Sequence, residues 1–283
     1  MTCYTDLYTP SPSDEAPRRQ TLAITATEEQ VTVERRMSAA IITLNLPDQR
    51  NPLSVDMMQA LSDELKVIAQ DADIRVVVLR GEGKVFSSGH NLKEMTDRGI
   101  DEQRHIFDVC TEMMQTVQQI PQPVIAQVHG VAAAAGCQLV ATCDLAVAAD
   151  TTLFLTPGVR IGLFCSTPMV ALSRNVGRKR AMEMLLTGEP ISADTAVEWG
   201  LINRSVPAEH LEEEVWKFVE KLAASSPLTM SIGKQAFYQQ IDVPQEQAYG
   251  LMSETMATNV VTGDAQEGID AFLSKRQPVW QGK

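Results

Sequence analysis

Cysteine is sparse in this chain and forms no pattern. The five residues, Cys3, Cys110, Cys137, Cys143 and Cys165, are odd in number and contain no C-x-x-C pair. A disulfide framework and a zinc knuckle are therefore not expected, and a reducing compartment, the cytoplasm, fits best. Cys110, Cys137 and Cys143 read as small buried hydrophobes. The four histidines, His90, His105, His129 and His210, make no H-x-x-x-H or H-E-x-x-H grouping, so no metal site is expected. Positive charge is the minority: Lys+Arg number 24 against 36 Asp+Glu, a net −12. That balance argues against nucleic acid and against a basic membrane-surface role. No apolar run reaches the roughly 20 residues of a membrane span. The most apolar stretch, Val124 to Ala149, is broken by His129, Gln138 and Asp144. The first twenty residues lack an apolar segment and mix acids with bases, which suits neither a secretory signal nor a transit peptide.

What is present is an ordinary globular composition, 44% hydrophobic and 21% charged over 283 residues. A Pro- and Ser-containing tail is expected over 1–21. Strand-like segments follow at 30–36 and 39–46, then a turn over 47–52. Ser54 is a plausible N-cap for a helix whose face carries Met58, Leu61, Leu65 and Ile68. A short strand is expected at 75–80 and a polar loop at 87–91. A second helix carries Ile106, Val109, Met113, Val117 and Ile120, ending at Pro121-Gln122-Pro123, and a strand is expected at 124–128. The order β-α-β-α-β implies an α/β fold with crossover connections. Beyond about Pro168 helical patterns dominate, with one strand signal at 201–206. The chain divides into the tail, an α/β core over 22–206 and a helical region over 207–283.

Two segments offer backbone chemistry. In V-H-G-V-A-A-A-A-G-C-Q-L-V-A-T-C-D, 128–144, a strand leads through small residues into a helix. The first N–H groups of that helix lack partners and carry partial positive charge. Such a turn suits an oxyanion, and equally a tight helix–sheet contact. In F-S-S-G-H-N-L-K-E-M, 86–95, a loop leaves a strand and enters a helix, with Asn91 as a natural cap.

Together these segments resemble the crotonase superfamily, the enoyl-CoA hydratase/isomerase family. The resemblance runs from about Val31 to Trp280. Further motifs carry it in order: R-N-P-L-S at 50–54, C-D-L-A-V-A-A-D at 143–150, L-L-T-G-E-P-I-S-A at 185–193 and E-G-I-D-A-F-L-S-K-R at 267–276. T-P-G-V and G-L-F-C-S-T-P, within 156–168, mark one branch. The resemblance implies a spiral of ββα units with a C-terminal helical oligomerisation region. It implies an acyl-CoA thioester as substrate, coenzyme A entering only as part of it, with no other cofactor. It also implies a homotrimer or dimer of trimers, and (2E)-enoyl-CoA hydration in fatty-acid metabolism. His90 and Ala135 match the positions whose backbone N–H groups hold the enolate oxygen. Arg50, Lys93 and Lys275 match segments that meet the coenzyme A phosphates.

The departures fall on the acid–base pair. Gln138 and Gly158 stand where active hydratases carry two glutamates. An amide cannot accept a proton and glycine offers no side chain, and such groups contribute about 10²–10⁴ each. Cys165, Glu94 and Asp144 are the nearest titratable groups. Cys165 reads as a pocket wall, Glu94 as solvent-facing and Asp144 as a structural cap. Slow hydration is expected, rising in the pair Gln138→Glu with Gly158→Glu unless a positive φ at 158 forbids it. An enolate-based decarboxylase or thioesterase, and a noncatalytic acyl-CoA-binding protein, are the alternatives.

Overall fold

The computed structural model describes residues 29–283, so the tail over 1–21 lies outside the described residues. A six-stranded sheet forms the centre, in the order β1 (Val31–Arg36), β2 (Ala39–Leu44), β4 (Val76–Gly81), β6 (Val124–Val128), β8 (Leu145–Ala149) and β11 (Arg204–Val206). Its inner pairings are parallel, and β1 runs antiparallel to β2 along one edge. β2 is buried at every residue, as a strand covered on both faces requires.

A second layer is made of short strands: β3 (Pro52–Leu53), β5 (Gly89–His90), β7 (Val131–Ala133), β9 (Leu153–Leu155) and β10 (Ile191–Ser192). β3 pairs with β5, β7 with β9 and β9 with β10, while a bridge from Ser87 to Ala132 joins the two groups. Four times over, the chain places a strand in the large sheet, a short strand in the second layer and then a helix. Those helices are α1 (Val55–Ala69), α2 (Ile100–Gln119), α3 (Ala135–Thr142) and α4 (Ser166–Asn175). This is the crotonase spiral. The residue patterns alone point to a turn at 47–52 and a loop at 87–91. Strands of two residues have no alternation to read.

The helices sit where the apolar spacing puts them. Ser54 caps α1, its side chain accepting from Met57 N, and Met57, Met58, Leu61, Leu65 and Ile68 go into the core. Each such side chain is worth about 1.5–3 kcal/mol of burial. α5 (Arg178–Thr187), α6 (Ala193–Trp199), α7 (Leu211–Ala223), α8 (Pro227–Gln240), α9 (Gln245–Val260) and α10 (Gly263–Leu273) complete the chain. α7 closes the other face of the large sheet, with Leu211, Val215 and Val219 packed on Ile41, Val78 and Val147. Trp216 and Phe218 pack there too. Phe237 and Phe272, by contrast, stay outside, Phe272 being 83% exposed.

α8 is pinned by a buried charge. Lys234 Nζ lies 2.8 Å from Asp144 Oδ2 and donates to the carbonyl oxygens of Val117 and Gln122 at 2.8 and 2.9 Å. Tyr238 Oη donates to Asp144 Oδ1 at 2.8 Å, and Val124 N donates to Asp144 Oδ2 at 2.7 Å. Burial lowers the proton affinity of Lys234 and Asp144 opposes that shift. Asp144 therefore ties strand, helix and loop together, as a structural cap. α9 has no buried residue, and Tyr249, Met256 and Val261 lie on the surface.

Candidate active site

The polar loop after β4 is held by one buried side chain. Asn51, fully buried at φ +49°, accepts from Leu46 N at 2.9 Å with its Oδ1. Its Nδ2 donates to the carbonyl oxygens of Glu82, Val85 and Phe86 at 2.8, 3.0 and 3.2 Å. Ser87 extends the tie: its Oγ donates to Asn51 O at 2.8 Å and accepts from Gly89 N at 3.2 Å. Neither Asn51 nor Ser87 stands out in the sequence as a site residue. The available signal was the Asn-Pro step, which marks a turn and not its anchor.

That loop presses on the start of α3. Ala133 N donates to Ser87 O at 3.0 Å. Gly89 has φ +89°, and a Cβ there would lie 2.8 Å from Ala133 O, 2.9 Å from Ala134 Cβ and 3.2 Å from Ala135 N. A Cβ on Gly136 would meet Ser87 O at 2.7 Å. Both glycines are required by close approach of backbone to backbone. The structure thus brings the segments of His90 and Ala135 into contact. Ala135 opens α3, and Ala134 before it offers no side-chain cap. Ala134 itself has φ +48° and ψ −116°, a conformation that L-residues avoid.

A cavity of about 1000 Å³ opens beside this contact. Ala134, His90, Phe107 and Met95 line one side, and Pro157, Gly158, Leu163, Phe164, Cys165 and Pro168 another. Lys93 and Arg160, both exposed, also border it. Arg160 was not picked out from the sequence; it bonds Glu189 and Thr187 O. Arg50 adopts φ +67° and contributes its carbonyl to Ser88 N, and its side chain is not among the lining groups. Lys275 lies beyond α10, also away from the cavity.

His90 is half-buried, with its ring edge-on to Phe107 at 5.5 Å between centroids. Its Nε2 is enclosed and has no hydrogen-bond partner. Burial lowers its pKa to about 4, which keeps the imidazole neutral near neutral pH. Gln138, 7% exposed, and Thr156, fully buried, each hold an oxygen, Oε1 and Oγ1, without a partner. Gln138 lies one turn into α3 and is not among the cavity's lining residues.

Gly158 differs from expectation. Its φ is not positive, yet it has no room for a side chain: a Cβ would overlap Leu163 O and come within 2.8 Å of Cys165 Sγ. The pair Gln138→Glu with Gly158→Glu therefore cannot simply restore a second carboxylate. Glu94 also departs from its solvent-facing expectation. Its Oε2 accepts from Val55 N at 3.0 Å and its Oε1 from Asn91 Nδ2 at 3.3 Å, so it caps α1. Burial raises the thiol pKa of Cys165, and pushes Cys110 and Cys137 to about 12. Among the described residues no group of three or more His, Cys, Asp or Glu could hold a metal, and no helix is long and apolar enough to cross a membrane.

Residues 34–283 match the model of the family described as enoyl-CoA hydratase/isomerase. The chain belongs to that family. Enoyl-CoA hydratase domain-containing protein 3, mitochondrial, of Rattus norvegicus is 49% identical over 240 residues, 84% of this chain and 80% of the relative. This is the branch that the T-P-G-V and G-L-F-C-S-T-P motifs resemble. The 2,3-dehydroadipyl-CoA hydratase of Escherichia coli K12 is 32% identical, covering 90% of this chain and 99% of the relative. Among solved structures, human enoyl coenzyme A hydratase domain-containing protein 3 superposes with a TM-score of 0.86 at 46% identity, over 89% of this chain and all of that one (100%). An enoyl-CoA hydratase of Mycobacterium smegmatis gives 0.87 at 46% identity, over 89% of this chain and 99% of the other. Family members of this chain's fold therefore share its spiral along almost its whole described length.

Proposed function

We propose that this family member binds acyl-CoA thioesters in the cavity and stabilises an enolate oxygen with the backbone N–H groups of His90 and Ala135. The supporting observation is the seating of Gly89 against residues 133–135, which leaves no side chain between the two donor segments. Charge develops on the thioester oxygen as the enolate forms, and a pre-aimed donor is worth about 3–4 kcal/mol there. Backbone donors survive any choice of side chain at 90 and 135. Lys93 and Arg160 supply cations at the cavity for the coenzyme A phosphates. Arg50 and Lys275 would serve those phosphates only from beyond the cavity lining, Lys275 from a neighbouring subunit. No cofactor is needed beyond the coenzyme A of the substrate.

(2E)-Enoyl-CoA hydration in fatty-acid metabolism is the reading that the family's name suggests, and it should be slow here, since Gln138 is an amide and position 158 admits no side chain. A decarboxylase that forms an enolate, or a thioesterase that forms a tetrahedral oxyanion, is favoured by the same geometry, because each needs the oxygen cradle and not both carboxylates. A noncatalytic acyl-CoA-binding role would show binding without turnover. Calorimetry with acetyl-CoA and acetate tests the reading. Tight binding of the thioester alone is expected, and comparable affinities would sink it.

Assembly as a trimer or dimer of trimers is supported by the apolar residues that α8 to α10 leave outside, including Phe237, Tyr249, Met256 and Phe272. Light scattering showing a stable monomer at micromolar concentration would contradict this. A cytoplasmic location, read from composition, stands against the word mitochondrial in the relatives' names, and cell fractionation decides between them.

A further inference from the structure

We propose that the His90 imidazole is the base that takes the α-proton of the bound acyl thioester and returns it. This rests on the acyl-thioester reading above. The cavity's titratable groups are Asp48, His90, Lys93, Arg160 and Cys165. Asp48, Lys93 and Arg160 are exposed, so their charges are solvated at the border. Cys165 is buried and its thiol is held protonated by that burial. His90 is the remaining group withdrawn from solvent with a lone pair to give. Its Nε2 is enclosed by protein without a partner, which leaves Nδ1 as the ring nitrogen able to meet a ligand.

Position favours the same group. The imidazole and the proposed oxyanion donor belong to one residue. A thioester oxygen held by His90 N places the α-carbon two bonds away from that oxygen, within the cavity that His90 lines. The edge-on contact with Phe107 fixes the ring plane. Among the described residues no acid forms an ion pair with the ring, and burial is what lowers its proton affinity. A base with a conjugate acid near 4 has the strength of a carboxylate, which is the class of group missing at 138 and 158.

The step balances without a further reactant. A ring nitrogen takes the α-proton. The C–H electron pair becomes the Cα–C double bond of the enolate, and the carbonyl π pair moves to the oxygen held by the two N–H groups. The imidazolium then returns a proton to the α-carbon as the charge collapses. In D₂O the transient imidazolium exchanges with solvent, so deuterium accumulates at the α-carbon.

The test is α-deuterium incorporation into butyryl-CoA in D₂O, followed by mass spectrometry, with affinity measured in parallel by calorimetry. His90→Gln and His90→Ala keep the backbone donor, and their melting temperatures report folding. Both should lose at least about 100-fold in exchange while butyryl-CoA affinity changes less than about threefold. Wild-type exchange should be flat between about pH 5.5 and 8, where an ordinary histidine would show a limb near its usual pKa of about 6.5. His210→Gln, on the far side of the large sheet, should exchange like wild type. Binding without exchange in the wild type overturns the proposal. So does exchange in folded His90→Gln within threefold of wild type, or a larger loss in Cys165→Ala. Absence of butyryl-CoA binding by the wild type would instead fail the thioester reading, and the assignment of a base with it.

Discussion

The two walls of the cavity are built in opposite ways. On the donor wall, Asn51, Ser87, Gly89 and Gly136 hold the 86–90 loop against α3 with bonded atoms and backbone contacts. On the acyl wall, 156–168, Thr156 Oγ1 is unpartnered, Gly158 carries no side chain, and Leu163 and Phe164 are 42% and 37% exposed. Backbone donors need exact placement, and the donor wall is over-determined to give it. A proton-transferring side chain needs space and a chosen environment, and the acyl wall has closed that space at 158. The first wall fixes backbone in place, and the second leaves no room for a side chain at 158.

The comparison can be broken at its strongest point first. Asn51→Leu removes four hydrogen bonds and puts a branched side chain at φ +49°. It should destabilise the protein by about 3 kcal/mol or more. Urea unfolding measures this, and a loss below about 1 kcal/mol would show that the loop is held elsewhere. Next comes Gly158→Ala, which should cost about 1–3 kcal/mol by overpacking against Leu163 and Cys165. A neutral outcome in the same assay would reopen position 158 for a carboxylate.

A smaller effect concerns pH. His90 is held neutral in the fold and its pKa falls from 6.5 to about 4. Its contribution to stability is therefore complete above about 6.5, and is lost as pH falls through that value towards about 4. Melting temperatures of His90→Gln should lack that part of the acid-induced decline; an unchanged slope between wild type and variant would mean the ring is solvated. The smallest expected effect is at Ala134. Relieving φ +48°, ψ −116° with Ala134→Gly should raise stability by up to about 1 kcal/mol, because glycine's freedom in the unfolded chain offsets part of the relief. A clear loss of stability in calorimetric melts would show that the backbone there is not strained.

Much of this architecture was legible from residue patterns. Ser54 as cap, the apolar face of α1 and the end of α2 at Pro121 follow from spacing and capping alone, and the helical character of 207–283 from its residue patterns. The second strand of each spiral turn was not, because Pro52–Leu53 and Gly89–His90 carry no period to detect. At the site, the small residues of 130–136 pointed to close approach to the backbone, and the structure shows the 86–90 loop making it. The anchoring role of Asn51 was hidden because its partners lie 31 to 35 residues away in sequence. The crowding at Gly158 was hidden for the same reason: only the folded 163–165 segment fills its side-chain space.

The most direct measurement compares two ligands that differ by one oxygen. Acetyl-CoA carries the carbonyl oxygen that the N–H groups of His90 and Ala135 are proposed to hold, and S-ethyl-CoA, its thioether analogue, does not. By calorimetry, acetyl-CoA should bind at least about tenfold more tightly, a difference of about 1.4 kcal/mol. Equal affinities for the two would contradict the account.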